Sequence, residues 1–149
     1  MENKKRYIKP EDVKKLENAV FEQTKKQFPN FPYPPKRTFR DNTANGLTEC
    51  VITYIELAGG QSERINSTGQ KINTLSGDKW VKGSSDRGSA DISSTIKGKS
   101  VKIEIKIGTD IQSEHQKKYQ ERIENAGGIY IIVKDFTQFV DLFKVKILK

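Results

Sequence analysis

Asp91, Glu104 and Lys106 stand in the spacing Asp-x12-Glu-x-Lys, and their side-chain types are those that metal-assisted hydrolysis needs. The segment Lys99 to Ile107 alternates Val101, Ile103, Ile105 and Ile107 with Lys102, Glu104 and Lys106. An extended chain points successive residues to opposite faces, so the acid and the amine share one face and the apolar residues the other. Ala90 to Ile96 reads as the preceding strand, and Lys97-Gly98 as a two-residue turn. With that turn, Ile96 pairs with Lys99 and Asp91 falls opposite Glu104, their Cβ atoms about 5 Å apart. A longer loop would move the register by one or two residues. Two carboxylates that close raise each other's pKa unless a cation lies between them. A hard divalent ion, Mg²⁺ above all, suits such oxygen ligands. Lys106 beside them can orient or activate an attacking water and neutralise charge that develops at phosphorus. A charged strand face in solvent is the plainer alternative.

The elements that must position these residues follow from periodicity. Residues 10–27 read as an amphipathic helix with Val13, Leu16 and Val20 on one side. The segment 28–35 holds four of the five prolines and is extended. Residues 1–45 therefore read as a basic extension, perched on the rest through the aromatics of that segment. Residues 46–149 read as the core. Leu47 to Ala58 is a helix stopped by Gly59-Gly60, and residues 62–67 are a strand. Residues 68–89 are mostly loop, with one short strand around Trp80. After the hairpin, Ser113 to Asn125 is a helix whose buried stripe is Ile111, Tyr119, Ile123 and Ala126. Gln116 borders that stripe where the helix leaves the sheet. Ile129 to Val133 has the continuous apolar character of a central strand. Phe136 to Phe143 is a closing helix, followed by a terminal edge strand. The core order is α-β-β-β-α-β-α, a mixed sheet flanked by helices, with the strands at 100–107 and 129–133 parallel.

The bulk properties narrow the chemistry. A formal charge of +8 and pI near 9.5 favour a polyanionic partner. Eleven Lys and Arg against five Asp and Glu lie in residues 1–40, so most of the excess is there. One cysteine, Cys50, excludes an internal disulfide and a CxxC metal knuckle, and the single histidine, His115, excludes a multi-histidine zinc site. A Ser-His-Asp triad is disfavoured on the same ground. No apolar run is long enough to span a bilayer, and no apolar stretch follows the basic first residues as a signal peptide requires. A cytoplasmic setting is expected. His115, Cys50 and Trp80 read as packing or surface residues, although Trp80 in a basic loop can stack on a base.

Four blocks, Gly88-Ser89-Ala90-Asp91, Ile103-Glu104-Ile105-Lys106, Gln112-Ser113-Glu114-His115-Gln116 and Glu124-Asn125-Ala126-Gly127-Gly128, together resemble the VRR-NUC branch of the PD-(D/E)xK nuclease superfamily. The likeness extends upstream through Leu47-Thr48-Glu49 and Arg64-Ile65-Asn66-Ser67-Thr68-Gly69. It covers about residues 46–143. The resemblance implies a restriction-endonuclease-like core that cleaves DNA phosphodiesters with Mg²⁺ or Mn²⁺, often at branched structures of the Holliday-junction kind. Asp91 and Glu104 match the metal ligands, with the backbone carbonyl of Ile105 as a third. Lys106 matches the catalytic lysine, Gln116 the supporting helix glutamine, and Glu49 the first-helix acid that often completes the site. Ala90 replaces the motif's proline, which is not a ligand.

The expected activity is thus a Mg²⁺-dependent endodeoxyribonuclease with little sequence specificity. Lys71, Lys79, Lys82 and Arg87 would contact the DNA backbone. Paired cuts on a four-way junction would need a homodimer. The alternatives are a module that binds nucleic acid without cutting it, and an accessory subunit that contacts a helicase or another DNA-processing protein through residues 28–35.

Overall fold

Helical spacing of Val13 and Leu16 opens the first element, α1 (Glu11–Gln27), which has Glu11 and Asp12 in its first turn and Lys25 and Lys26 in its last. That charge order complements the helix dipole. The computed structural model describes residues 5–65, 69–83 and 86–149. After α1 come α2 (Ala44–Leu57), β1 (Gln61–Arg64), β2 (Gln70–Thr74), β3 (Gly77–Val81), β4 (Ile92–Ile96) and β5 (Lys99–Ile105). The remaining elements are α3 (Glu114–Asn125), β6 (Ile129–Val133) and α4 (Phe136–Lys146). The architecture is a mixed α/β one, with a four-stranded sheet in the order β1-β4-β5-β6.

The β4–β5 hairpin turns on Lys97-Gly98, both residues at positive φ (50° and 74°). Such a turn matches the twist of the flanking strands, and glycine takes the second position without a Cβ clash. It pairs Ile96 with Lys99 and runs to Ile92 opposite Ile103. β5 and β6 are parallel neighbours, with α3 as the connection between them.

One face of this sheet forms the core. Ile92, Val101, Ile103, Ile105, Ile131 and Val133 pack there against Leu47, Val51 and Ile55 of α2 and against Phe136, Phe139 and Phe143 of α4. Burying each such side chain contributes roughly 1.5–3 kcal/mol. On the opposite face α3 lies against β6, with Tyr119 edge-on to Tyr130. That is the face carrying Glu104 and Lys106.

Several expectations need correction. Residues 68–89 hold two strands, not one: β2 and β3 form a separate antiparallel pair, so two strands are added to the expected order. Their mostly polar sequence hides the alternation a half-buried strand would show. Residues 1–45 are not perched on the core through the aromatics of 28–35. Phe28, Phe31 and Tyr33 are exposed, whereas Val13, Leu16 and Phe39 belong to the core. Two buried carboxylates tie this part down. Glu17 accepts from the Phe39 amide at 2.8 Å, and Asp41 accepts from the Tyr7 hydroxyl at 2.8 Å and the Phe136 amide at 3.1 Å. The chain end forms no edge strand, because α4 continues to Lys146. Ile111 and Ala126 are exposed, so the apolar contacts of α3 come from Tyr119 and Ile123, beside half-buried Gln116 and Gln120. The expected strand at 62–67 is found as β1 over Gln61–Arg64, and residues 66–68 lie outside those described.

Candidate active site

The hairpin register delivers Asp91 to its place. Asp91 precedes β4 by one residue, opposite Glu104 when the pairing of Ile92 with Ile103 is continued. Its carbonyl accepts from the Ile65 amide at 2.7 Å, which holds it in line with the sheet. Its Oδ2 accepts from the Ile105 amide at 2.8 Å. In an extended strand the N–H and C=O of one residue point the same way. Since β4 stops at Ile92, the Ile105 carbonyl oxygen leaves the sheet on the Asp91 side, past the end of the ladder.

Glu104 and Lys106 are 1% and 6% exposed, and buried charges of this kind must be paired. The Lys106 Nζ lies 3.1 Å from Glu104 Oε1, 3.1 Å from Gln116 Oε1 and 3.5 Å from Asp110 Oδ2. The Gln116 amide nitrogen donates to Glu104 Oε1, and the Tyr130 hydroxyl donates to Glu104 Oε2 at 3.3 Å. Burial pushes Glu104 up to about 7, and the negative charge of Asp91 pushes the same way against the bond from Lys106. Burial and the nearby Glu104 charge also raise the Tyr130 phenol.

Gln116 is fixed by the start of its own helix. Ser113 Oγ accepts from the Gln116 amide at 3.3 Å, and Gln116 Oε1 accepts from the Ser113 amide at 2.8 Å. This reciprocal cap orients the carboxamide that bridges Lys106 and Glu104. Ser113→Ala is expected to lower stability by about 1 kcal/mol, read from the urea midpoint. An unchanged midpoint would show that the cap does not stabilise α3.

The loop before Asp91 is anchored on the same helix. Gly88 has φ +84°, and a Cβ there would come within 2.5 Å of the His115 backbone, so the turn at 86–89 sits directly on the first turn of α3. Arg122 adds an exposed ion pair to Asp86 at 3.2 Å. One helix thus positions both Gln116 and the approach to Asp91. The His115 side chain itself is exposed.

Not every expected residue joins this group. Glu49 is on an exposed side of α2 and pairs with Arg37 at 2.5 Å, while the neighbouring Arg64 donates to Asn45 at 2.7 Å. Among the described residues no three His, Cys, Asp or Glu side chains cluster as metal ligands. The donor set in hand is Asp91, Glu104 and the Ile105 carbonyl. All three offer hard oxygens, which fit Mg²⁺ or Mn²⁺ and would leave positions for water and phosphate oxygens. Lys71, Lys79, Lys82 and Arg87 are exposed, and Lys71 pairs with Asp78 at 2.5 Å.

Sequence reasoning missed Tyr130 and Asp110. The run from Ile129 to Val133 reads as uniformly apolar, which conceals the hydroxyl. Parity carries the signal: Tyr130 stands beside Lys102 in the parallel register, hence on the face of Glu104. Asp110 lies in the loop after β5, where strand counting gives no direction. No described helix is long and apolar enough to cross a membrane. No family model, no curated protein and no solved structure matches the chain.

Proposed function

We propose that this chain is a metal-dependent endonuclease that hydrolyses DNA phosphodiester bonds, built on a restriction-endonuclease-like core of the VRR-NUC type. The observation that carries this reading is the buried Glu104–Lys106–Gln116 cluster set against Asp91. Such a group costs folding energy, and strongly perturbed carboxylates of this kind concentrate at functional sites.

Asp91, Glu104 and the Ile105 carbonyl would hold Mg²⁺, or Mn²⁺ in its place. Bound there, the ion would supply Lewis-acid stabilisation of the phosphoryl oxygens and a more acidic water. The residues of the chain do the rest. Lys106 keeps its ammonium at the carboxylate pair, where it orients the attacking water and offsets negative charge building on the phosphate. Gln116 holds Glu104 and Lys106 in register through the two ends of its amide. Tyr130 fixes the second oxygen of Glu104. The basic surface binds the DNA backbone without reading bases, so the chain would select structure over sequence. Branched DNA is the substrate class this reading favours, and a homodimer would account for paired cuts.

The test uses labelled four-way junction, flap and linear duplex DNA, with Mg²⁺ or with excess chelator. Products are expected only with the metal, and chiefly from the branched substrates. Equal products in both conditions, or none in either, overturn the reading.

A further inference from the structure

The β2–β3 hairpin takes no part in the core. Its strands pack chiefly on each other, and isolated two-stranded hairpins are at best marginal in water. It nonetheless exposes large apolar side chains: Trp80 is 68% exposed, and Ile72, Leu75 and Val81 also face solvent. Single exposed apolar residues are ordinary, but several on one unsupported ribbon mark a contact surface. Residues 69–83 also carry three lysines against one aspartate. Lys71 stands directly across from Trp80 on one face, and Lys79 across from Ile72 on the other.

Trp80 is held while its ring stays open. A Cβ on Gly69 would come within 2.5 Å of the indole nitrogen, so the edge of the ring lies against the backbone of residue 69. In sequence the hairpin is flanked by two segments that touch the site. Before it, the Ile65 amide bonds the Asp91 carbonyl, and after it the Gly88 turn is seated on α3.

We infer that the β2–β3 hairpin grips an unpaired DNA strand, stacking a base on Trp80 while Lys71, on the same face, and Lys82 follow the phosphates. This rests on the nuclease reading and narrows its substrate to DNA in which a single strand adjoins a duplex, as at a fork or flap. The ammonium groups select a polyanion over an apolar protein surface. The open indole selects unpaired nucleotides, whose faces are free to stack, over a continuous duplex that has already stacked them.

Trp80 is the only tryptophan, so its fluorescence reports on the hairpin alone. The full chain is titrated in excess chelator with an oligothymidylate, a forked duplex, a blunt duplex and an oligouridylate. The first two are expected to quench Trp80 and the blunt duplex to leave it nearly unchanged. By anisotropy of labelled DNA, Trp80→Ala should weaken binding of the unpaired and forked DNA about tenfold, with Trp80→Phe recovering most of the loss. Binding of the blunt duplex should change less than about twofold. Unaltered affinity in Trp80→Ala, or bound DNA without quenching, overturns the proposal. Equal quenching by the RNA overturns the assignment to DNA, and concentration-dependent quenching without nucleic acid assigns the hairpin to a second copy instead. Because no metal is present, quenching that is not followed by cleavage on adding Mg²⁺ defeats the nuclease reading and leaves the hairpin assignment standing.

Discussion

Glu104→Gln and Lys106→Ala are each expected to lower Mg²⁺-dependent cleavage on the order of 10²–10³-fold, the loss typical of removing one preorganised electrostatic group from an active site. Glu104→Gln keeps the shape and an oxygen for the Tyr130 hydroxyl, yet removes the charge that a divalent ion needs. Lys106→Ala removes the ammonium 3.1 Å from Glu104 and Gln116 and leaves both carboxylates in place. Both side chains are buried, so neither change should shift DNA affinity in chelator by more than about threefold. The rate and the affinity must therefore separate. The two losses should also fail to add, because the residues act on one reacting centre, and the double variant is expected to be little worse than either single one. If both single variants still cut within tenfold of wild type in Mg²⁺, the triad is not the catalytic apparatus.

That separation matters because a nucleic-acid-binding module without activity would share the basic surface and the exposed hairpin. What such a module lacks is a reason to bury an acid, an amine and an amide together beside a second acid. A buried pair of this kind is weak support for stability, and apolar residues of similar volume often serve as well or better. Here the cluster is fully hydrogen-bonded: among the described residues no buried side-chain nitrogen or oxygen lacks a partner. The arrangement rigidifies Glu104 from three sides, from Lys106, Gln116 and Tyr130. A preorganised carboxylate is what transition-state stabilisation requires.

The parts of this design that were legible in sequence are those governed by local rules. Alternation in Lys99–Ile105 sets which face carries Glu104 and Lys106, and a Lys-Gly pair between two strands forces the two-residue turn that brings Asp91 opposite Glu104. Gln116 is legible because it borders the apolar stripe of the helix that follows the lysine strand, whereas the capping box with Ser113 that fixes its carboxamide is seen only in the structure. The rest depended on long-range packing. Nothing local says that Val13 and Phe39 reach the core, since that depends on Glu17 and Asp41 accepting backbone amides from distant segments. Glu49 sits in a helix predicted within a few residues, yet its exposed pairing with Arg37 depends on the path of residues 28–43. The second hairpin lacks a buried face, so it has no hydrophobic period to read.

The same cluster should impose a pH-dependent cost on the metal-free fold. Glu104 titrates near 7 in the folded chain, against an ordinary value of 4.5, because burial and the Asp91 charge disfavour its ionised form. Below about pH 4.5 the folded and unfolded chains both hold this proton, and the group has no effect on stability. Between 4.5 and 7 the unfolded chain releases the proton while the folded chain keeps it, so stability falls as pH rises. Above 7 both states are ionised and the loss is constant. The full shift corresponds to roughly 3–4 kcal/mol as an upper bound, and relaxation around the buried carboxyl should leave about 2 kcal/mol. Carboxylates remote from Glu104 are common to both proteins, so the quantity to follow is the difference in unfolding free energy between Glu104→Gln and wild type, measured in chelator. Whatever its value at pH 4.5, that difference should move in favour of the variant by about 2 kcal/mol by pH 8. Saturating Mg²⁺ at pH 8 should then stabilise wild type and leave Glu104→Gln almost unchanged, since on the proposed function only the ionised pair would hold the cation. A difference that stays flat from pH 4.5 to 8 would show that Glu104 carries no electrostatic load, and the cost assigned to burying its charge beside Asp91 would have to be withdrawn.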